Sequence, residues 1–186
     1  MLREAWRKKQ SQLDPKRLVF LDESGINTKM ARLYGRAPKG ERLVAPIPHG
    51  HWKTMTFIGG LRHDRLDAPW VLDGAMDAAA FKTYLREVLV PTLSVGDTVI
   101  MDNLPAHKVA DVKAIIEQAG AELLYLPPYS PDLNPIEKSF SKLKTFLRKA
   151  AARTIDDLIQ KTAEALDQFK SSECLNYFIE AGYPST

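Results

Sequence analysis

The order of the β-rich and helical segments constrains the fold of this chain more than any other feature. Segments typical of strands come first and are joined by turns, whereas the later ones alternate with helical segments. Strands joined by short turns pair antiparallel, and strands joined by a helix run parallel. We therefore predict an α/β fold with a mixed sheet (antiparallel first strands, parallel later strands) and helices on both faces.

The individual segments have start and stop signals of their own. The predicted strands are 17–22, a hairpin over 31–47, 52–61 with a bulge at Gly59-Gly60, 69–72, 98–101 and 122–126. The predicted helices are 78–90 with Asp77 as N-cap, 108–119 ending at Gly120, one from Pro135, one capped by Thr154 and a last one capped by Ser172. In the helix from Pro135, a buried stripe is predicted from the apolar residues at helical spacing, which are Ile136, Phe140, Leu143 and Leu147.

The length of 186 residues fits one domain. We interpret 1–16 as a basic lead-in or linker, 17–152 as the main α/β domain, and 153–186 as C-terminal helices packed on that domain. The single cysteine, Cys174, cannot form an internal disulfide. The sequence has neither a secretory signal nor an apolar run of the ~20 residues that span a membrane. We therefore expect a soluble, cytoplasmic protein with no membrane partner.

Three acidic residues stand where predicted elements meet. Asp22 ends the first apolar run, Asp102 follows 98–101, and Glu137 opens the helix after Pro135. If the two strands are neighbours, their carboxylates lie at one edge of the sheet, where a packed helix presents the glutamate. Carboxylates are preferred ligands of Mg²⁺ and Mn²⁺, and a pair of such ions organises phosphoryl transfer. The three acids therefore predict a site for two Mg²⁺ or Mn²⁺ ions.

Each acid also has a purely structural explanation. Asp22 and Asp102 both precede residues that are typical of turns. The run Asn134-Pro135-Ile136-Glu137 fits a capping box, in which the glutamate folds back onto its own helix. Considered without further information, the residues leave both interpretations open.

Three motifs around these acids resemble those of a known family. The segment 126–137 (LPPYSPDLNPIE) closely resembles the third motif of transposases of the Tc/mariner superfamily, which include bacterial insertion-sequence enzymes. The segments 19–24 and 99–107 resemble the first and second motifs. Between Asp102 and Glu137 lie 34 residues, a spacing that marks one branch of the superfamily.

The resemblance implies an RNase H-like catalytic domain over 17–152. It implies a metal-dependent DDE transposase that cleaves element ends and transfers the 3′-hydroxyl strand to target DNA, with Asp22, Asp102 and Glu137 as its catalytic, metal-binding acids. It also implies a multimeric assembly such as a homodimer, located on DNA in bacterial cytoplasm. The helix-turn-helix region that such enzymes have upstream is absent, so we expect a catalytic fragment or one product of a split reading frame. The alternatives are an inactive remnant that binds DNA or a partner, and a hydrolytic RNase H-like nuclease.

The helix that begins with the glutamate is strongly basic. The segment from Asp132 to Arg153, both included, contains six Lys or Arg residues and two acids. Lys144 lies seven residues after Glu137 and shares its helix face, so we expect it to contact DNA phosphates. A solvated helix face is the alternative. The other residues considered for DNA contact are Lys138, Lys142, Arg148 and His107.

Overall fold

The computed structural model describes residues 2–103 and 110–185. Its strands form one sheet in the order β3-β2-β1-β4-β5. The strands are β1 (Leu18–Asn27), β2 (Thr54–Leu61), β3 (Leu66–Asp73), β4 (Thr98–Met101) and β5 (Glu122–Tyr125). The β1–β2 and β2–β3 pairs are antiparallel, whereas β1–β4 and β4–β5 are parallel. The predicted mixed sheet is confirmed.

The helices in the described residues are α1 (Leu2–Gln10), α2 (Ala78–Tyr84), α3 (Ala110–Gln118), α4 (Ile136–Ala150), α5 (Ile155–Leu166) and α6 (Ser171–Glu180). The predicted N-caps form, because Asp77 accepts a hydrogen bond from the backbone of Ala80 and Thr154 accepts one from Asp157. Gly120 ends α3 with a φ of +80°, a conformation that favours glycine. The prediction for Ser172 is wrong, since α6 begins at Ser171 and Lys170 is its N-cap residue.

The two faces of the sheet pack against different helices. Along β1 the side chains alternate, so that Phe20 joins a core cluster with residues of α4, α5 and α6, whereas Leu21 joins a second cluster with residues of α2 and α3. The predicted stripe of α4 is buried in the first cluster, where the ring centroid of Phe140 lies 5.9 Å from that of Phe57. The sheet is thus covered on both faces, as predicted.

The first strand is longer than its sequence predicts. Asp22 was expected to end it, but β1 continues to Asn27 because β2 pairs with it over the whole stretch from Phe20 onward. The hydrogen bonds of this ladder outweigh the local preference of Asp-Glu-Ser-Gly for a turn. Asp22 therefore lies inside a central strand.

The hairpin predicted over 31–47 is wrong. Residues 28–53, all of them described, contain a turn in which the backbone of Glu41 donates to Pro38, but no strand. The apolar residues of this segment are largely exposed, among them Tyr34 and Val44. Without a partner strand or a core to cover them, the alternating residues have nothing to pair with.

The bulge predicted at Gly59-Gly60 is confirmed, because the pairing of β2 with β3 shifts register between Ile58 and Gly60. A Cβ atom at Gly60 would lie 2.9 Å from Cγ1 of Val19. Only glycine fits this close approach of β2 to β1.

The two ends of the described chain pack on the same core. Residues 1–16 were expected to be only a basic lead-in, yet α1 buries Trp6, whose indole N–H donates to the hydroxyl of Tyr183 at 3.1 Å. Phe178 of α6 is fully buried, with its ring centroid 5.2 Å from that of Phe20. In the described part of the chain, no helix is both long and apolar enough to cross a membrane.

The contact between α6 and the sheet generates a stability prediction. Phe178→Ala should lower the free energy of unfolding by about 3–5 kcal/mol, because it leaves a cavity against Phe20. The measurement is urea denaturation followed by circular dichroism. Ile179→Ala is the matched control, since this neighbour is 45% exposed and its truncation should cost less than about 1 kcal/mol. Equal effects of the two substitutions would contradict the packing described for α6.

Candidate active site

The register between β1 and β4 places two of the predicted acids side by side. Leu21 pairs with Met101, so Asp22 and Asp102 are the next residue on each strand. Side-chain alternation puts Asp22 on the same face as Phe20, which is the face covered by α4. The two acids thus follow a paired position of neighbouring strands, although only Asp102 stands at the end of its strand.

The start of α4 brings the third acid to the same edge. The Asn134 side chain, only 5% exposed, donates from Nδ2 to Oδ2 of Asp22 at 2.9 Å. The capping box considered from the sequence does not form: the N-cap residue is Pro135, and no side chain caps the helix. Among the described residues the carboxylate of Glu137 has no hydrogen-bond partner, and this side chain is exposed. Glu137 is therefore available for other ligands.

All three acids line one cavity of about 390 Å³. Its lining includes Asp22 from within β1, the residues that directly follow β4, and the segment 126–131 that leads to α4. The polar residues that line it are Asp22, Asp102, Asn103, Ser130, Asn134 and Glu137.

The donor set of this cavity suits a hard divalent cation. Its carboxylate and amide oxygens are the ligands that Mg²⁺ and Mn²⁺ prefer. The Oδ1 atoms of Asn103 and Asn134 are buried without a hydrogen-bond partner among the described residues, so two oxygen acceptors remain to be satisfied. However, no three acidic, histidine or cysteine side chains in 2–103 and 110–185 stand close enough to hold one ion together. Mg²⁺ commonly takes one or two carboxylates and completes its shell with water and substrate phosphate, so the cavity fits such an ion.

The wall segment of the cavity is braced by α1. Arg3 donates to both carboxylate oxygens of Asp132, at 2.9 and 2.6 Å, and to Oγ of Ser130 at 2.8 Å. The hydrogen bond from Arg3 lowers the pKa of Asp132. Between these contacts and the cavity stands Tyr129, whose side chain is 99% exposed and whose φ is +54°. A left-handed backbone at a bulky residue is strained, so the brace holds the segment in a conformation that is locally unfavourable.

Two of the lysines considered for DNA contact are engaged with α6 and the segment before it. Lys138 pairs with Glu180, with 2.6 Å between Nζ and Oε2. Lys142 pairs with Glu173, donates to the backbone of Gln168 and lies over the ring of Phe169. Burial acts to raise the pKa of Glu173, but the hydrogen bonds from Lys142 and Tyr177 together lower it.

The other two cations of α4 that were considered for DNA contact face elsewhere. Lys144 and Arg148 line a groove together with residues of the segment 28–53. In the described part of the chain neither has an acidic partner. His107 lies outside the described residues.

The sequence and the fold of this chain have counterparts among known proteins. A sequence profile described as DDE superfamily endonuclease matches residues 17–159, which contain all three acids. The chain belongs to the DDE superfamily endonucleases. This membership confirms the DDE endonuclease family implied by the three motifs, and the matches below confirm the resemblance to Tc/mariner transposases.

Individual relatives of this DDE endonuclease cover it to different extents. It is 28% identical over 150 residues to the transposable element Tcb2 transposase of Caenorhabditis briggsae, a match over 72% of this chain and 53% of that protein. Its structure resembles the catalytic domain of Mos1 mariner transposase, with a TM-score of 0.68 and 15% identity over 96% of this chain and 83% of that chain. It also resembles the mariner Mos1 paired end complex with Mg, with a TM-score of 0.73 and 17% identity over 96% and 56% of the two chains. The fold is RNase H-like, as predicted. The chain spans about half the length of the curated relative it matches.

Sequence reasoning missed the side chains that support the site of this DDE endonuclease. Asn134 was interpreted as a helix cap, because an Asn before Pro is typical of one. Arg3 was assigned to a lead-in, and its contact with Asp132 spans more than 120 residues of sequence, so no local pattern predicts it. Tyr129 had a usable signal, since a large aromatic residue between Pro128 and Ser130 is unusual in a turn.

The hydrogen bond between Asn134 and Asp22 generates a prediction that depends only on folding. A double-mutant cycle with Asn134→Ala and Asp22→Ala, measured by urea unfolding, should give a coupling energy of about 1–2 kcal/mol, because the bond is charge-assisted and one partner is buried. The control cycle pairs Lys138→Ala with Glu180→Ala, an exposed ion pair for which we expect about 0.5 kcal/mol or less. Additive effects at Asn134 and Asp22 would contradict the contact.

Proposed function

We propose that this chain is the catalytic part of a metal-dependent DNA transposase, with Asp22, Asp102 and Glu137 as its catalytic acids. The observation that carries the proposal is the register of β1 with β4, which puts two carboxylates next to each other at the cavity where α4 begins. Family membership supports the reaction class. The Mos1 structures, described with Mg, with Mn and as a strand transfer complex, support divalent ions and DNA as ligands.

The proposed ligands are two Mg²⁺ or Mn²⁺ ions. When bound, such ions activate the attacking oxygen and stabilise charge on the leaving oxygen in an in-line displacement. Asp22 is the proposed shared ligand, and Asp102 and Glu137 would each hold one ion. Asn134 holds the Asp22 carboxylate by its hydrogen bond, so that one oxygen keeps a fixed orientation.

Two displacements at phosphorus make up the proposed reaction. In the first, the oxygen of water attacks a phosphodiester at the element end, and the bond to the 3′-oxygen breaks to leave a 3′-hydroxyl. In the second, that 3′-hydroxyl attacks a phosphodiester of target DNA, whose own 3′-oxygen leaves. The same carboxylates serve both steps, since each step needs only alignment and charge stabilisation.

The proposed path of DNA follows the face of α4 that bears Glu137. Lys144 and Arg148 continue this face and have no acidic partner in the described part of the chain, so they are the proposed phosphate contacts. Lys138 and Lys142 point to α6 and are paired with its acids.

The proposal predicts the behaviour of single substitutions. Asp102→Asn and Glu137→Gln should each reduce metal-dependent DNA cleavage at least about 10²-fold, because each removes a charge from the site of phosphoryl transfer. The assay follows nicking of supercoiled plasmid with Mn²⁺. It also follows joining of oligonucleotides that end in the terminal repeats flanking the coding sequence. Circular dichroism checks that each variant folds.

Glu23→Gln is the matched control, since this neighbouring acid lies on the same strand and does not line the cavity. It should retain activity close to that of the unsubstituted chain. If nicks form without joined products, the chain is a hydrolytic nuclease and not a transposase. Near-normal joining of oligonucleotides by Asp102→Asn would contradict the assignment of the acids. If the unsubstituted chain binds DNA but shows no metal-dependent cleavage, it is an inactive remnant.

A further inference from the structure

A second groove lies beside the cavity of the acids, between α4 and the irregular segment 28–53. It has a volume of about 550 Å³. Its lining combines four cations with apolar side chains, and the members used below are Lys29, Arg32, Ile47, Trp52, Lys144 and Arg148.

The cations of this groove stand apart from the acids of the described residues. In residues 2–103 and 110–185, none of the four has an ion-pair partner, whereas Lys138 and Lys142 on the opposite flank of α4 are both paired. The segment 28–53 adds to the imbalance, with six Lys or Arg against one acid, Glu41. Four cations around a single groove attract a polyanion and hold it by phosphate contacts.

The groove also contains exposed apolar surface that phosphate binding alone does not require. Trp52 is 52% exposed and Ile47 69% exposed. Nζ of Lys29 lies 4.2 Å from the centroid of the Trp52 ring, and this cation–π contact orients the ring. An aromatic ring among phosphate-binding cations is the combination by which proteins bind unpaired nucleotides, since bases in a duplex already stack on one another.

The position of the groove along α4 relates it to the acids. Lys144 is seven residues beyond Glu137, which corresponds to about 10 Å along the helix axis. Arg148 is four residues further, or about 6 Å. A DNA strand advances ~3.4 Å per nucleotide along the duplex axis, so a strand that follows this face reaches the groove about three nucleotides from Glu137.

We propose that this groove binds unpaired nucleotides of the DNA substrate, about three positions from the phosphate held at the acids. Their bases stack on Trp52, and their phosphates contact Lys144 and Arg148. The site thus selects a strand that is locally unwound next to the reaction centre. The position rests on the function proposed above, whereas the preference of the groove for unpaired nucleotides does not.

Binding is tested without metal, in EDTA, by fluorescence anisotropy of labelled oligothymidine of about 15 nucleotides and of a duplex of equal length. Trp52→Ala should weaken oligothymidine binding at least about fivefold and duplex binding less than about twofold, because only unpaired bases reach the ring. Trp52→Phe keeps an aromatic ring and should restore binding to within about twofold. Lys144→Ala and Arg148→Ala should weaken the binding of both oligothymidine and duplex and reduce the salt dependence of both affinities. Lys138→Ala, which removes a paired lysine of the same helix, should change neither the affinities nor their salt dependence.

Equal loss of single-strand and duplex binding in Trp52→Ala, or no loss of either, would overturn the proposal.

The position is tested by photocrosslinking of 5-iododeoxyuridine in a frayed element end. A crosslink to Trp52 from the third nucleotide beyond the scissile phosphate supports the position, and one from the eighth alone overturns it. Plasmid nicking by the same preparations separates the two proposals. If the chain nicks plasmid but Trp52→Ala binds both DNA ligands as the unsubstituted chain does, only the proposal for the acids stands. If DNA binding follows the predicted pattern but no nicking occurs, only the proposal for the groove stands.

Discussion

The parallel pairing of β1 with β4 is the interaction on which the rest of the site depends. Because Leu21 is opposite Met101, a shift by one residue would turn Asp22 to the face covered by α2 and α3 and separate it from Asn134. The register is fixed by side chains that alternate between two buried clusters, so the hydrophobic core itself sets the position of the carboxylates. The free energy that folds the sheet therefore also places Asp22 beside Asp102.

Helix α4 carries three different surfaces, which the 3.6-residue period keeps apart. Its buried stripe, which includes Phe140, anchors it to the sheet. One flank is tied to α6 by Lys138 and Lys142. The other flank begins with Glu137 and bears Lys144 and Arg148, which have no acidic partner within 2–103 and 110–185. The same sequence, which has the composition of a basic helix, thus divides its charges between internal ion pairs and the surface proposed to bind DNA.

Much of this structure follows from local sequence signals. The mixed sheet, the N-caps at Asp77 and Thr154 and the buried stripe of α4 were predicted because each depends on residues within one or two turns of chain. The candidate acids were found in the same way, Asp22 and Asp102 as ends of apolar runs and Glu137 at a helix start, and the motifs around them supplied the family.

The failures share a physical cause, which is that distant partners decide the outcome. The extension of β1 beyond Asp22 depends on β2, and the irregular course of 28–53 on the lack of a partner strand. Asn134 does not cap α4: its Nδ2 donates to a carboxylate of another strand, and its Oδ1, the atom that would accept from the helix backbone, has no hydrogen-bond partner among the described residues. Such choices between a local and a distant partner are invisible in a window of sequence.

Tyr129 shows how far a site of this kind departs from what stability alone would choose. A left-handed backbone costs a bulky residue about 1–2 kcal/mol relative to glycine, and a side chain that is 99% exposed recovers nothing by burial. If variants of this chain were selected only for resistance to heat, position 129 would drift to Gly or Asn. The tyrosine would persist only under selection for something other than stability, so the outcome at this one codon reports which of the two pressures the protein has experienced.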